Sequence, residues 1–204
     1  MKLFTSIADP TRNLLPYDGE AYYFGSLFAA KEADDLMARL LDTVAWRNDE
    51  LVLFGKKITT KRKVAWYGDQ PFAYRYSGAT KTALPWTEDL LSIKRIVERN
   101  IDDTFNSCLL NLYHDGSEGM SWHSDDEPDL KPQGAIASVS LGAARKFAFR
   151  HKSSHETISL LLGHGSLLLM KGATQEHWKH SLPHTRRIQA PRINLTFRTI
   201  VGMR

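Results

Sequence analysis

Near the end of the chain stands the stretch Arg192-Ile193-Asn194-Leu195-Thr196-Phe197-Arg198, in which polar and apolar residues alternate. On a strand, side chains two positions apart share a face. A strand here directs two guanidiniums, an amide and a hydroxyl to one side, and three apolar side chains to the other. If the polar side faces water, it is an ordinary exterior. If it faces the interior, its guanidiniums need anions, and a small dicarboxylate would supply them through charge-assisted hydrogen bonds.

Further apolar runs precede this strand in the second half of the chain, separated by glycine, proline and charged residues. Strands are predicted over residues 105–113, 136–141, 146–150, 157–162, 166–170, 178–183 and 193–201. Short antiparallel strands in such a succession predict a mainly β (α+β) fold, namely a double-stranded β-helix or jelly roll.

The first half of the chain contains two predicted helices, over residues 30–46 and 87–100. Thr87 can cap the second helix, because its hydroxyl can accept a hydrogen bond from a free backbone N–H group. We expect both helices to pack outside the jelly roll through their apolar faces. The residues on those faces are Ala33, Met37, Leu40, Leu41 and Val44 in the first helix, and Leu90, Ile93, Val97 and Ile101 in the second.

Between the helices, two extended runs flank Gly55 over residues 51–58, which predicts a β-hairpin. Tyr74 and Tyr76 alternate around Arg75 as they would on a strand, with both rings on one face. No linker or internal repeat divides the chain. We expect a single domain over residues 1–204, with the helices and hairpin in about 1–104 and the jelly-roll core in about 105–204.

The composition is that of a globular protein, with 42% hydrophobic and 25% charged residues, and it excludes a disordered or fibrous chain. A net charge of +4, with basic clusters in residues 56–63 and 145–152, permits an anionic partner. The single Cys108 excludes an internal disulfide and fits a reducing compartment. We expect neither a signal peptide nor a membrane helix of ~20 apolar residues. We expect a monomer without membrane contact, located inside the cell (cytoplasmic in a bacterium, nuclear in a eukaryote).

His123 and Asp125 form the one His-x-Asp pair in the sequence. On an extended segment both side chains project to the same side and can hold one ion. Two histidines and one carboxylate leave coordination positions open, as a non-haem Fe(II) oxygenase requires for its co-substrate and O₂. The pair alone is a weak signal, since most such pairs are polar surface residues.

A second histidine for this site must come from further along the chain. The candidates are His164, His177, His180 and His184. His180 lies in a predicted strand beside the small Ser181, which would let a metal approach. Spacing by itself leaves His177 and His180 as alternatives.

Taken together, the His-x-Asp pair, a distant histidine and the Arg-x-Asn-x-Thr-Phe-Arg stretch resemble the AlkB family of Fe(II)/2-oxoglutarate-dependent nucleic-acid dealkylation dioxygenases. The likeness is closest to the human AlkB homologue 2 type. It extends from about Leu51 to Arg198 and is strongest in residues 136–142, 147–152 and 191–198.

The resemblance implies a set of cofactors and the residues that bind them. His123, Asp125 and His180 would hold Fe(II), with O₂ and 2-oxoglutarate as co-substrates. Arg192, helped by Tyr113, would pair with the distal carboxylate of 2-oxoglutarate, and Arg198 would lie nearer the metal. The full set of residues implied for the 2-oxoglutarate pocket is Asn111, Tyr113, Arg192, Asn194, Thr196 and Arg198.

The implied activity is oxidative DNA demethylation. The alkyl group of 1-methyladenine or 3-methylcytosine is hydroxylated and lost as an aldehyde, with succinate and CO₂ as co-products. Alkylated DNA is the expected partner, in duplex as well as single strands, and RNA stays open. The alternatives are an oxygenase of the same fold that acts on RNA, a protein or a small molecule, and a non-enzymatic binding module.

The resemblance also implies a nucleotide-recognition lid built around the hairpin. Phe54, beside Gly55, would act as an apolar wedge that fills the gap left by an extruded base. Lys56 would hold phosphates, and Arg62 would reach toward the opposite strand. The alternative is a solvated hairpin whose Phe54 packs inward.

Further substrate contacts follow from the same likeness. Tyr74, Arg75 and Tyr76 would lie on the lid, where the tyrosine rings could stack on a flipped base. Asp126 and Glu127 would favour the cationic alkylated bases over unmodified ones. Without the resemblance, these residues would be core tyrosines and ordinary loop acids.

Overall fold

The computed structural model describes residues 2–3, 8–53, 56–76 and 79–202, with side chains over 8–50, 59–73 and 82–202. Within these residues the helices are α1 (Ala30–Thr43), α2 (Glu88–Ile101) and α3 (Thr174–His177). The strands are β1 (Lys2–Leu3), β2 (Glu20–Ser26), β3 (Arg47–Leu53), β4 (Lys56–Gly68), β5 (Ala73–Tyr76), β6 (Ala79–Thr82), β7 (Leu84–Pro85), β8 (Ser107–Tyr113), β9 (Met120–His123), β10 (Ile136–Gly142), β11 (Arg145–His151), β12 (Thr157–Leu162), β13 (Ser166–Lys171), β14 (Trp178–Leu182) and β15 (Arg192–Arg198).

Two sheets pack against each other to form the predicted jelly roll. In the described part of the chain, the larger sheet has eight strands in the order β2-β13-β10-β15-β8-β4-β3, with β7 beside β4. The smaller sheet has the order β1-β12-β11-β14-β9, and β5 and β6 form a separate hairpin. Neighbouring strands are antiparallel except in the β1–β12 and β4–β7 pairs. The fold is therefore mainly β, with the helices outside it.

Strands of the larger sheet are apolar on both faces because both faces are covered. In β13, Leu167 and Leu169 pack in the core between the sheet and the helices. Leu168 and Met170, which point the other way, pack in the core between the two sheets. A strand buried on both sides has a continuous apolar run instead of an alternating one.

The polar row of β15 faces the interior. Ile193, Leu195 and Phe197 pack on the helix side of the sheet, so the alternating residues point toward the smaller sheet. Arg192 is 1% exposed and Arg198 is 9% exposed. Of the two arrangements that the sequence allows, the structure has the one in which buried guanidiniums require partners.

Both predicted helices are present and cover the larger sheet. The Thr87 hydroxyl accepts a hydrogen bond from the Leu90 N–H group at 3.3 Å, which confirms the predicted cap of α2. The first helix ends at Thr43, earlier than predicted, and its apolar face differs by one residue. Leu36 is 4% exposed, whereas Leu41 is 39% exposed. Within the described residues, none of the helices is long and apolar enough to cross a membrane.

The sequence prediction missed strands β1, β2, β6, β7 and β9, and the hairpin is longer than predicted. Strand β2 alternates in burial, but its less buried positions include Tyr22 and Phe24, so polarity does not alternate with it. Strand β9 is only four residues long. Strand β4 continues from the hairpin to Gly68 and pairs with β8 over six residue pairs. The hairpin is thus an extension of the larger sheet.

The burial difference within α1 can be tested with one substitution type. Leu36→Ala should lower the free energy of unfolding by about 2–4 kcal/mol, because it leaves a cavity in the core. Leu41→Ala, on the exposed side of the same helix, should change it by less than about 0.5 kcal/mol. Urea denaturation of both variants measures the difference. Equal losses would contradict the assigned face of the helix.

Candidate metal centre and co-substrate pocket

Three potential metal ligands meet between the ends of β9 and β14. In the pairing of these strands, His123 and His180 are direct partners, which brings their ring centroids to 4.2 Å. The Oδ1 atom of Asp125 lies 3.7 Å from Nε2 of His123 and 3.8 Å from Nε2 of His180. One ligand atom from each residue falls within 4.8 Å of the others. The two histidines and the carboxylate can therefore face a single ion.

The carboxylate of this group comes from a loop and not from a strand. Asp125 lies two residues beyond the end of β9, in residues without regular structure. Strand alternation therefore explains His123 but does not by itself place Asp125. The Asp125 N–H group donates to Oε1 of Gln175 at 2.9 Å, and the Ser124 hydroxyl donates to the Trp178 carbonyl at 3.1 Å.

Histidine tautomers separate this group from a second cluster, which contains the alternative ligand His177. The Nδ1 atom of His123 lies 2.8 Å from the Ser121 carbonyl, which can only accept, so Nδ1 carries the proton and Nε2 is free for a metal. In the cluster of Asp18, His151 and His177, the opposite tautomer is found at His151, where Nδ1 accepts a hydrogen bond and Nε2 carries the proton. The Ser154 N–H group donates to Nδ1 of His151 at 3.1 Å, which leaves the proton on Nε2, 3.4 Å from Asp18.

The charges around the first group suit metal ligands. Burial would raise the pKa of Asp125, but the nearby Arg198, His180 and His123 outweigh it and hold that pKa below its ordinary value. Burial lowers the pKa of His180 to about 4. The carboxylate is therefore ionised and His180 neutral near pH 7, which are the forms that bind a divalent metal.

Arg192 is a buried cation that has no carboxylate partner among the side chains that the structure describes. Its Nη2 donates to the neutral Ser140 hydroxyl at 2.9 Å and to Oδ1 of Asn194 at 2.7 Å. Its Nε is buried and has no hydrogen-bond partner among the described residues. Burial lowers the pKa of Arg192 to about 10, so the side chain still carries its charge at pH 7. An anion in the pocket would compensate this charge.

Arg198, at the other end of the same strand, already has anionic partners. Its Nη1 lies 3.2 Å from Oε1 of Glu127 and 3.7 Å from Oδ2 of Asp125. Burial would lower the pKa of Arg198, but these two carboxylates outweigh it and raise that pKa. The two arginines therefore differ. Arg198 neutralises the carboxylates of Asp125 and Glu127, whereas Arg192 has no such carboxylate among the described residues.

Arg192 lines a pocket that also contains the three metal candidates. Asn111 and Tyr113 lie directly across from Asn194 and Arg192 in the pairing of β8 with β15. The Tyr113 ring lies 5.5 Å from the Arg192 guanidinium carbon. The residues lining the pocket are Leu109, Asn111, Tyr113, Met120, His123, Asp125, Ser138, Phe147, Met170, His180, Leu182, Arg192, Asn194 and Thr196.

Residues 20–198 match the family model of the 2OG-Fe(II) oxygenase superfamily. The chain belongs to this superfamily.

Named relatives place this oxygenase in the AlkB branch. It is 40% identical to mouse (Mus musculus) DNA oxidative demethylase ALKBH2, over 96% of this chain and 86% of that protein. The human (Homo sapiens) protein of the same name is 40% identical, over 95% of this chain and 78% of its own length. Mouse alpha-ketoglutarate-dependent dioxygenase alkB homolog 3 is 39% identical, over 83% of this chain and 62% of its own length. The solved structure of OsALKBH1 shares the fold, with a TM-score of 0.59 and 17% identity over 88% of this chain and 97% of that one.

The residues of this oxygenase fit the cofactors of its superfamily, which are Fe(II), 2-oxoglutarate and O₂. Two imidazoles, of which that of His123 has a free Nε2 lone pair, and one carboxylate match the donors that non-haem Fe(II) takes. The unpaired Nε of Arg192 matches a buried carboxylate of a dicarboxylic co-substrate.

Only some of the predicted substrate-binding residues are described together with their side chains. Asp126 is exposed, whereas Glu127 is partly buried and paired with Arg198. Phe54 and Gly55 lie outside the described residues. The backbones of Lys56, Tyr74, Arg75 and Tyr76 are described, in β4 and β5, but their side chains are not.

Arg62 points inward in this structure, whereas the resemblance implies a side chain that reaches toward the opposite DNA strand. It is 8% exposed, and its Nη2 lies 2.5 Å from Oδ2 of the buried Asp49. The cause is an irregularity in the β3–β4 pairing, where Asn48 pairs with Lys63 but Glu50 pairs with Thr59. The extra residues of β4 turn Arg62 toward Asp49, so contact with a DNA strand would require it to leave this ion pair.

Several residues of the site were missed by the sequence analysis. Ser138 and Ser140 alternate on β10 and face Asn194 and Arg192, with which their hydroxyls form hydrogen bonds. The alternation of serines in the predicted strand could have indicated them. Gln175 had no signal in the sequence, because its partner is fifty residues away.

The uncompensated charge of Arg192 can be tested by thermal unfolding with Mn(II) present. Wild type should gain roughly 5–10 °C in Tm at 2-oxoglutarate concentrations near one hundred times Kd. Arg192→Met should lose this gain while keeping or raising the ligand-free Tm, because it removes a buried charge. Arg99→Met, on the exposed face of α2, is the control and should behave as wild type. A full ligand response in Arg192→Met would exclude it as the carboxylate partner.

The lowered pKa of His180 predicts an acid-sensitive stability in the metal-free protein. The unfolded chain takes up a proton as pH falls below 6.5, whereas the folded site resists until about 4. Stability should therefore fall between these values, by an amount on the order of 3 kcal/mol. His180→Gln should flatten this part of the curve in urea denaturation from pH 7 to 4. The same slope in both proteins would show that His180 is not the group responsible.

Proposed function

We propose that this oxygenase removes alkyl groups from N-alkylated bases in DNA, with His123, Asp125 and His180 as its Fe(II) ligands. The observation that carries the assignment is the shared pocket of these three residues and the uncompensated Arg192. A pocket with metal donors at one end and an unpaired buried cation at the other suits 2-oxoglutarate, which chelates at one end and presents a carboxylate at the other. The relatives named DNA oxidative demethylase supply the substrate class.

When bound, Fe(II), 2-oxoglutarate and O₂ supply the oxidising power that hydroxylates the N-alkyl carbon. The side chains hold the participants in place. Arg192, which is supported by Ser140 and Asn194, would hold the distal carboxylate of 2-oxoglutarate. The Ser121 carbonyl fixes the ring of His123, and Phe147 stacks on His180 with ring centroids 5.4 Å apart. The hydroxylated alkyl group then leaves as an aldehyde, so a side-chain nucleophile is not needed.

The substrate should approach from the side of His123. The side chain of His123 is 35% exposed, whereas that of His180 is 7% exposed and faces the interior. Asp126 is exposed beside this opening and is the acid available to a cationic base, since Glu127 is already paired with Arg198. A carboxylate at this position would favour 1-methyladenine and 3-methylcytosine, which carry a positive charge.

A basic outer surface of the smaller sheet supports a nucleic-acid partner. Arg150 and Lys179 are direct partners in the β11–β14 pairing, and both point away from the core. The Arg150 guanidinium lies over the Trp122 ring at 4.3 Å, one residue from His123. Positive charge held near the opening would attract phosphates and make binding weaken with salt. Activity on duplex as well as single strands, a monomeric state and an intracellular location stay proposals from the sequence.

The test is reaction of the anaerobically purified protein, supplied with Fe(II) and 2-oxoglutarate, with oligonucleotides that contain 1-methyladenine or 3-methylcytosine. Single-stranded DNA, duplex DNA and RNA are compared by mass spectrometry. We expect methyl loss from DNA. His180→Ala should abolish it, because a ligand is lost, whereas His177→Ala should retain it.

Two outcomes would contradict the proposal. Absence of methyl loss from every DNA substrate would exclude the function, and methyl loss from RNA alone would favour the alternative substrate. Activity lost in His177→Ala but kept in His180→Ala would reverse the choice of the second histidine.

A further inference from the structure

The carboxylate among the three metal candidates is the one whose position no strand determines. Asp125 follows β9, and its backbone N–H group donates to the side-chain Oε1 of Gln175 at 2.9 Å. A loop residue without such a contact can move its side chain with its backbone. The placement of Asp125 3.7 and 3.8 Å from the two histidine Nε2 atoms therefore depends on contacts from elsewhere.

Gln175 projects from a segment that is tied down on several sides. The hydroxyl of Thr174, which is 1% exposed, accepts from the Glu20 N–H group at 2.8 Å and lies 2.6 Å from the Lys171 carbonyl. Lys152 donates from Nζ to the Gln175 carbonyl at 2.8 Å. The short helix α3 is thus fixed to β2, to the end of β13 and to the residue after β11, and it gives Gln175 a rigid base.

The same segment also carries His180. Strand β14 begins at Trp178, whose carbonyl accepts from the Ser124 hydroxyl at 3.1 Å, and it places His180 opposite His123. Residues 175–180 therefore include the metal candidate His180. They also supply the two acceptors, Gln175 Oε1 and the Trp178 carbonyl, that hold the loop of Asp125. Movement of this segment would carry His180 and Asp125 together, which preserves the distance between them.

We propose that Gln175 is a positioning residue that fixes Asp125 for metal binding. The inference rests on the proposed function, because it takes Asp125 as an Fe(II) ligand. Gln175 acts on the backbone of the ligand and does not touch the ion. Without its acceptor, the Asp125 N–H group would turn to water, and the carboxylate would lose its fixed direction toward the two imidazoles. Groups that orient metal ligands in this way contribute about 10- to 100-fold to metal affinity.

The other half of the Gln175 amide makes a separate contact. Its Nε2 lies 3.7 Å from the sulfur of Met170, which is 2% exposed and lines the co-substrate pocket. The N–H of Asp125 requires an acceptor, which fixes the amide orientation. Gln175→Glu keeps an acceptor for Asp125 and loses the donor toward Met170. This variant therefore separates the positioning contact from the packing contact.

The experiment is an anaerobic titration of the full chain with Co(II), whose visible absorption reports both affinity and coordination geometry. The proteins compared are wild type and the variants Gln175→Leu, Gln175→Glu, Glu176→Gln and Asp125→Ala. Leu has nearly the size of Gln but accepts no hydrogen bond. Glu176 is the matched control, because it lies in the same helix but its Oε1 accepts from Gln133, on a different loop. Thermal unfolding of each metal-free protein checks the fold.

We expect Gln175→Leu to bind Co(II) about 10- to 100-fold more weakly than wild type, with an altered absorption band and a metal-free Tm close to that of Glu176→Gln. Gln175→Glu should bind at least as tightly as wild type, and Glu176→Gln should be unchanged. Asp125→Ala should lose binding.

The inference is overturned if Gln175→Leu binds within about twofold of wild type, if Gln175→Glu is as weak as Gln175→Leu, or if Glu176→Gln is equally impaired. The last result would assign the effect to the helix as a whole. Failure of wild type to bind Co(II), or unchanged binding by Asp125→Ala, would instead remove the metal site and with it the proposed function. Failure of the positioning role and failure of the site are thus distinguishable.

Discussion

The buried charge of Arg192, which has no carboxylate beside it in the described part of the chain, is the constraint around which this structure is organised. Removing a guanidinium from water costs several kcal/mol unless partners replace the solvent. Neutral groups on three neighbouring strands supply part of that replacement: Ser140, Asn194 and the Tyr113 ring. The remaining charge is directed into a pocket between two sheets. A fold that keeps such a charge gains stability when an anion enters, which couples the pocket to its co-substrate.

The apolar face of β15, opposite Arg192, stabilises the strand that carries this buried charge. Ile193, Leu195 and Phe197 pack into the core between the larger sheet and the helices. Their burial holds the strand in the centre of the sheet, with β10 on one side and β8 on the other. One strand thus combines an apolar face that stabilises the fold with a polar face that builds the site.

Two arginines on one strand face have opposite electrostatic roles. Arg198 has Glu127 and Asp125 close by, so it reduces the repulsion between the loop carboxylates and holds Asp125 ionised. Arg192 donates to neutral groups and has the cation Arg145 nearby, so its charge stays available to an anionic ligand. The difference comes from the loop after β9, which reaches one end of β15 only. The same loop is held at Gln175, so metal donors, acidic neighbours and Arg198 form one connected network.

The sequence by itself determined most strands of the second half, both long helices, and the residues of β15 that share a face, because these follow from local periodicity. It also indicated His123 and Asp125 through their spacing. Spacing left His177 and His180 as alternatives, and only the resemblance gave Arg192 and Arg198 different roles. The sequence did not show that Leu36 is buried instead of Leu41, or that Arg62 is paired with Asp49. Tertiary structure determines the burial and the partners of these residues, because strand pairing and loop contacts bring together groups that lie far apart in the chain. A periodic pattern fixes which side chains share a face, but the elements packed against that face determine which of them are buried, paired or free.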